Sequence, residues 1–321
     1  MNGLVGRSGW DPTLIAASPR AIESLRTMGA AVQDSGFRNM HDEVHGPEGL
    51  ALLVAGVEVE AAVAYAWLGG RSNVDALIAA GGADRTREGA VALRFAVLAG
   101  AGAMAVLPKR YPETDRIYAG PDSWVLLKLA WRFGLGGDRA VELGTGTGLV
   151  ATFLTTRYDR VVATDVLPAA AATAALSRQL LGPVGRSRLA VAVNDVAAGL
   201  AVGMFDFVVA NAPWVPSRSA GGQIFADGGP TGFELPLRFL LGGSELLSDR
   251  GVLVLLCADL RFEDGRAPLI EALDELTDRG FAYEVEVTPR DTALSFEVPG
   301  VPEYMEGIES AAHVGVVVYR R

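Results

Sequence analysis

The stretch Arg139 to Val150, Arg-Ala-Val-Glu-Leu-Gly-Thr-Gly-Thr-Gly-Leu-Val, constrains the fold more than any other part of this 321-residue chain. Ala140, Val141 and Leu143 read as the end of a buried strand. Gly144, Gly146 and Gly148 let the backbone turn sharply and approach a ligand closely, and a helix is expected from about Gly148. A strand that turns through glycines into a helix aims backbone N–H groups and the positive end of the helix at the polar atoms of a small molecule.

The residues that follow alternate as an open α/β sheet does. A second strand is predicted over 161–164, ending in Asp165, with a packing helix over 169–180. A third strand over 189–193 ends at Asn194-Asp195, and a fourth over 204–210 opens with Asp206 near its start. A helix over 233–247, a fifth strand over 251–256, a helix over 269–278 and terminal strands over 281–287 and 314–319 complete the series. An acid at the tip of the second strand can accept hydrogen bonds from both ribose hydroxyls of a nucleoside. The dinucleotide fingerprint needs glycine or alanine at the sixth position counted from Gly144, and Leu149 stands there, which argues against a nicotinamide or flavin cofactor.

Read as acidic-x-Gly-x-Gly-x-Gly, the residues Glu142, Gly144, Gly146 and Gly148 resemble the first motif of the class I S-adenosylmethionine-dependent methyltransferases. After the fourth strand, Asn211-Ala212-Pro213-Trp214 resembles the Asn-Pro-Pro-aromatic motif of family members that act on planar nitrogen, with alanine where the family usually has proline. Asp227-Gly228-Gly229-Pro230-Thr231-Gly232 is similar to the loop that follows that motif in the protein-glutamine (HemK-like) methyltransferases. Tyr118-Ala119-Gly120-Pro121-Asp122-Ser123 is similar to the segment that precedes the first motif there, and equally offers a cap for a helix reaching about Phe133.

The resemblance implies a Rossmann-like class I methyltransferase fold: a mostly parallel seven-stranded sheet whose last strand is antiparallel. It implies S-adenosyl-L-methionine as cofactor, held by Glu142, Gly144, Thr145, Gly146, Gly148, Asp165, Asn194, Asp195 and Asn211. It also implies a catalytic corner of Asn211, Ala212, Pro213 and Trp214. A planar NH₂ is a poor nucleophile while its lone pair is delocalised, so an amide oxygen and a backbone carbonyl that accept its hydrogens can hold it toward a methyl group. Asn211 would accept one N–H, the Ala212 carbonyl the other, and Trp214 would be the stacking face. Tyr118, Asp122 and Asp227 join Trp214 as expected substrate contacts.

Residues 1–110 differ in character, being rich in alanine and glycine, and are expected to form a mainly helical domain that lids or shapes the pocket of a catalytic domain over 111–321. Ser18-Pro19 predicts the start of a first helix, and helices are expected over 50–68, 73–80 and 86–99. Valine-rich pieces over 53–59 and 104–107 could instead be strands. Residues 37–49 read as loop, 109–121 as the connection between the two regions, and 290–310 as a loop carrying Glu297, Glu303, Tyr304, Glu306 and Glu309.

No apolar run is long and charge-free enough for a bilayer span, and no secretory signal is visible, so a cytoplasmic protein without a membrane partner is expected. Cys257 reads as a buried thiol, and His41, His45 and His313 are too scattered for a metal site. A formal charge of −10 makes a nucleic-acid substrate the third choice. The expected acceptor is a small molecule bearing an amine, amide or guanidino nitrogen, with a protein glutamine, as in a translation release factor, as the alternative. A non-catalytic cofactor-binding module is the reading from a different class.

Overall fold

The structure is a computed structural model and describes residues 11–35, 48–109, 117–220, 223–287 and 307–321. His41 and His45, most of the 37–49 loop, residues 110–116 of the connection, and Glu297, Glu303, Tyr304 and Glu306 of the acidic loop lie outside the described residues.

The chain begins with α1 (Pro12–Ala16), capped by Asp11. In α2 (Pro19–Asp34) the Ser18 side chain accepts from the Ala21 N–H and Pro19 fills the first turn, as its sequence predicts. The single helix expected over 50–68 is instead α3 (Glu48–Ala55) and α4 (Ala61–Trp67), parted by Gly56 at φ 69° and the short strand β1 (Glu58–Val59). After α5 (Arg71–Ala79) and β2 (Ala83–Arg85), the helix expected over 86–99 is overturned. Those residues form β3 (Val91–Leu93) and β4 (Phe95–Gly100), because Val91, Leu93, Phe95, Val97 and Ala99 are buried in strict alternation, the period of a pleated strand. A turn at Ala101 and Gly102, both at positive φ, returns the chain as β5 (Ala103–Pro108), antiparallel to β4.

From Ile117 onward helices and strands alternate: α6 (Pro121–Phe133), β6 (Gly137–Leu143), α7 (Leu149–Leu154), β7 (Tyr158–Asp165), α8 (Pro168–Ser177), α9 (Pro183–Arg188), β8 (Leu189–Val193) and β9 (Phe205–Asn211). Then come α10 (Glu234–Glu245), β10 (Leu247–Phe262), α11 (Pro268–Asp278), β11 (Phe281–Val287) and β12 (Ile308–Arg320). Seven strands make one sheet in the order β11-β12-β10-β9-β6-β7-β8. Pairing is parallel from β8 through β10, and β12 runs antiparallel to both of its neighbours. This is the mostly parallel, Rossmann-like seven-stranded sheet with an antiparallel last strand that the resemblance implies.

The central strands are covered on both faces, which is why Phe207 to Ala210 can be a continuous, fully buried apolar run. One apolar cluster joins α2, β4 and β5 to α6, α7 and one face of the sheet. A second lies under α10 and α11 on the other face. The N-terminal region therefore shares a core with the sheet. Each fully buried Val, Leu or Phe in that shared core contributes about 1.5–3 kcal/mol of transfer free energy. Among the described residues no helix is long and apolar enough to cross a membrane.

Candidate active site

From β6 the chain builds outward to β7 and β8, then crosses back to lay β9 on the other side of β6, where Leu143 pairs with Ala210. Connections leaving the carboxyl ends of two such strands diverge and leave a crevice. A cavity of about 390 Å³ opens there, within the range of small-molecule sites. Its walls include Glu142 and the glycine turn, Asp165, Asn194 and Asp195, Asn211 and Pro213, and Tyr118, Phe225 and Arg238.

Gly144, Gly146 and Gly148 stand at φ 69°, 54° and 80°, conformations that side chains other than glycine rarely take. At Gly148 space is short as well, since a Cβ there would sit 3.0 Å from that of Ala174 on α8. Three N–H groups of the turn and one from the start of α7 are spent on the protein itself. Thr145 N–H donates to the Thr164 carbonyl at 2.8 Å, Gly146 N–H to Asp165 Oδ2 at 2.9 Å, Gly148 N–H to the Thr145 carbonyl at 2.9 Å and Ala151 N–H to Glu142 Oε2 at 2.8 Å. The Thr145 hydroxyl donates to the same Glu142 oxygen at 2.6 Å.

Glu142 is only 4% exposed, and burial pushes its carboxyl up to about 8, against the lowering effect of the bonds from Thr145 and Ala151. Asp165 ends β7, and its Oδ1 accepts from the Leu167 N–H at 2.9 Å. Burial raises its pKa, opposed by the N–H groups of Leu167, Gly146 and Val166. At the far wall, the Asn194 side-chain NH₂ donates to the Val196 carbonyl at 3.0 Å, and Asp195 Oδ2 accepts from Arg238 Nη2 at 2.7 Å. That half-exposed ion pair adds little stability and stands at the edge of the cavity.

Asn211 ends β9, and its side-chain NH₂ donates to Asp122 Oδ2 at 2.7 Å. A carboxylate oxygen only accepts, so this bond fixes which end of the amide faces Asp122 and leaves the carbonyl oxygen to meet an N–H donor. Asp122 sits in the first turn of α6, whose N-cap Gly120 makes no side-chain bond; its Oδ1 accepts from the Ser123 N–H at 2.9 Å, so one carboxyl oxygen serves the helix start while the other holds Asn211. His313 on β12 adjoins Asp122. Burial lowers the pKa of its imidazole, and the charge of Asp122 pulls the other way.

The structure brings Glu142, Gly144, Thr145, Gly146, Asp165, Asn194, Asp195, Asn211, Pro213 and Tyr118 to one cavity. Gly148, Asp122, Ala212, Trp214 and Asp227 are not among the residues that line it. Ala212 is buried, and its N–H donates to the Leu256 carbonyl at 2.9 Å. Trp214, the expected stacking face, packs half-buried against the second apolar cluster. Asp227, the expected substrate contact, accepts from the Ser217 hydroxyl at 2.7 Å and the Gly229 N–H at 2.9 Å. Its loop buttresses the corner from behind: a Cβ on Gly228 would lie 2.6 Å from Trp214 Cα, and one on Gly232 would lie 2.5 Å from the Trp214 carbonyl oxygen.

Sequence reasoning named Tyr118 but missed its partner Phe225, which stacks on it with centroids 5.1 Å apart and planes 3° apart. It also missed Arg238, an α10 residue that no spacing ties to Asp195. Cys257 is fully buried, and burial pushes its thiol up to about 12, which leaves it unreactive. No described residue before Ile117 lines the cavity.

No protein-family model matches the chain, and no curated protein matches it in sequence. Among solved structures, it is similar to a ribosomal protein L11 methylase from Lactobacillus delbrueckii subsp. bulgaricus, with 15% identity, a TM-score of 0.41, and 64% of this chain and 81% of that one covered. It is similar to the E. cuniculi Mtq2–Trm112 complex responsible for methylating the eRF1 translation termination factor, with 23% identity, a TM-score of 0.42, and coverage of 64% and 97%. It is also similar to a geranyl diphosphate C-methyltransferase from Streptomyces coelicolor A3(2) in complex with S-adenosyl-L-homocysteine, with 15% identity, a TM-score of 0.45, and coverage of 62% and 79%. The likeness is one of architecture.

Proposed function

We propose that this chain is an S-adenosyl-L-methionine-dependent N-methyltransferase whose acceptor is a small molecule bearing an amine, amide or guanidino nitrogen. The observation that carries the reading is the chemistry of the cavity wall. Three carboxyl groups, Glu142, Asp165 and Asp195, line it together with Arg238, and the hydrogen-bonded N–H groups of the glycine turn are directed at the chain's own acceptors. A dinucleotide needs such N–H groups for its pyrophosphate. A nucleoside bearing a sulfonium and an ammonium group needs acids, and these walls suit it.

Glu142, Asp165, Asn194 and the backbone of the glycine turn would hold the cofactor, which when bound supplies an electrophilic methyl group. The protein's share of the reaction is alignment. Asn211, oriented by Asp122, accepts one N–H of the acceptor through its side-chain oxygen, and the adjacent Ala212 carbonyl is the second acceptor. Tyr118 and Phe225 replace Trp214 as the aromatic surface beside a planar group. No dedicated base is required, because an amide or amine nitrogen loses its proton after the methyl group arrives. The Asp227-Gly228-Gly229 loop serves the backbone of the corner, so its presence does not favour a protein glutamine over a small acceptor. Catalysis is assigned to residues 111–321.

Calorimetry with S-adenosylmethionine, S-adenosylhomocysteine and NAD tests the cofactor. Heat is expected from the first two and none from NAD, and NAD binding without methyl-donor binding would overturn the reading. Methyl transfer to a panel of amides, guanidines and glutamine peptides then separates the acceptor classes. Asp165→Ala is expected to weaken S-adenosylhomocysteine by ~1.5–3 kcal/mol, the worth of charge-assisted hydrogen bonds. An unchanged dissociation constant would place the ribose elsewhere.

A further inference from the structure

The β4–β5 hairpin lies behind the glycine turn, away from the cavity, and is tied to it by two buried relays. Val106 N–H donates to Ser177 Oγ at 2.8 Å, and the Ser177 hydroxyl donates to the Thr147 carbonyl at 2.6 Å, the nearer of two acceptors, the Thr173 carbonyl of its own helix lying 3.2 Å away. Two residues back on the same strand, Met104 N–H donates to Thr152 Oγ1 at 3.1 Å, and that hydroxyl donates to the Leu149 carbonyl at 2.8 Å. Residues at i and i+2 of a strand point the same way, so one edge of β5 feeds both relays.

The two carbonyls gripped in this way flank Gly148, the left-handed residue that converts the turn into α7. Thr147 and Leu149 both line the cavity. Ser177 and Thr152 are fully buried, so neither relay exchanges with water. Ala174, one helical turn before Ser177, meets Gly148 from the same side of α8.

We propose that the N-terminal hairpin is a brace for the cofactor site: through Ser177 and Thr152, as positioning residues, it holds the glycine turn in the shape that binds the nucleoside. This assignment rests on the methyl-donor reading for the identity of the ligand. An N-terminal region of this kind acts on cofactor affinity from behind the turn, leaving the rim, where the acceptor enters, to other residues.

The test is made on the full chain with Ser177→Ala, the near-isosteric Thr152→Val, and the control Ser244→Ala. Ser244 is as deeply buried, but its hydroxyl donates only to the Leu240 carbonyl of its own helix. Ser177→Ala and Thr152→Val are each expected to raise the dissociation constant of S-adenosylhomocysteine about tenfold, a modest coupling, and the KM for the methyl donor with it, while kcat at saturating donor stays close to wild type. Ser244→Ala should leave the dissociation constant unchanged. Equal affinities in all four proteins, or an equal loss in the control, overturn the brace while leaving the methyl-donor reading intact. If the wild type binds no S-adenosylhomocysteine, that reading fails. Amide hydrogen exchange over residues 144–150 of the ligand-free proteins then decides the brace: faster exchange in the two relay variants alone supports it, and unchanged exchange refutes it.

Discussion

Asn211→Ala is expected to lower kcat by about 100- to 1,000-fold, the loss typical when one preorganised hydrogen-bonding group is removed from a water-excluded reaction centre. Affinity for S-adenosylhomocysteine should change little. The two effects should separate because the proposed nucleoside wall and the proposed nitrogen-holding corner come from different strands, the first from β6 and β7 and the second from the end of β9. Single-turnover kinetics beside calorimetry measures both. A variant that turns over normally would mean the acceptor nitrogen is not held by the Asn211 oxygen, and a variant that loses cofactor and turnover in equal measure would move Asn211 into the nucleoside site.

Glu142→Gln is expected to stabilise the ligand-free protein at alkaline pH by an amount on the order of 5 kcal/mol, a large share of a domain's usual stability. Burial carries this carboxyl from 4.5 to about 8. Below 4.5 it is protonated in both the folded and the unfolded chain and makes no difference. Between 4.5 and about 8 the unfolded chain releases the proton while the folded chain keeps it, so stability falls as pH rises, and above about 8 the loss is complete. Glutamine still offers an oxygen to the Thr145 hydroxyl and the Ala151 N–H without titrating. Denaturant melts at pH 4.5 and pH 9 should coincide for the two proteins at the lower value and diverge at the higher; an identical difference at both would show that Glu142 ionises without penalty.

The same substitution should weaken the methyl donor, because a cation entering the cavity favours the ionised carboxyl. Wild-type binding at neutral pH then releases a proton, and its enthalpy should differ between phosphate and Tris. That difference should vanish in the variant.

The seven-stranded sheet was legible because buried parallel strands are continuous apolar runs separated by helices. β8 and β11 lie at the bounds their sequences predict. The stretch over 86–99 misled because the alternate positions Ala92, Ala96 and Leu98 are themselves apolar and half-buried, which hides the two-residue period until a partner strand is known. In the site, local chemistry was readable and long-range pairing was not. Asp165 and Asn211 follow directly from strand ends, but the bond from Asn211 to Asp122 spans 89 residues and the pair of Arg238 with Asp195 spans 43. The place of Trp214 outside the cavity lining was hidden for a similar reason: its surroundings are set by the approach of Gly228 and Gly232, whose lack of side chains leaves no mark at the tryptophan itself.

The inward bonding of the glycine turn has an evolutionary consequence. Turning this pocket toward phosphate-bearing cofactors would require both freeing donors that the turn bonds to its own acceptors and removing acids from the wall. The opposite wall, with Tyr118, Phe225 and the Asn211 corner, comes from other segments of the chain than the glycine turn. On the proposed function, substitutions on that opposite wall should therefore alter acceptor preference more readily than donor preference.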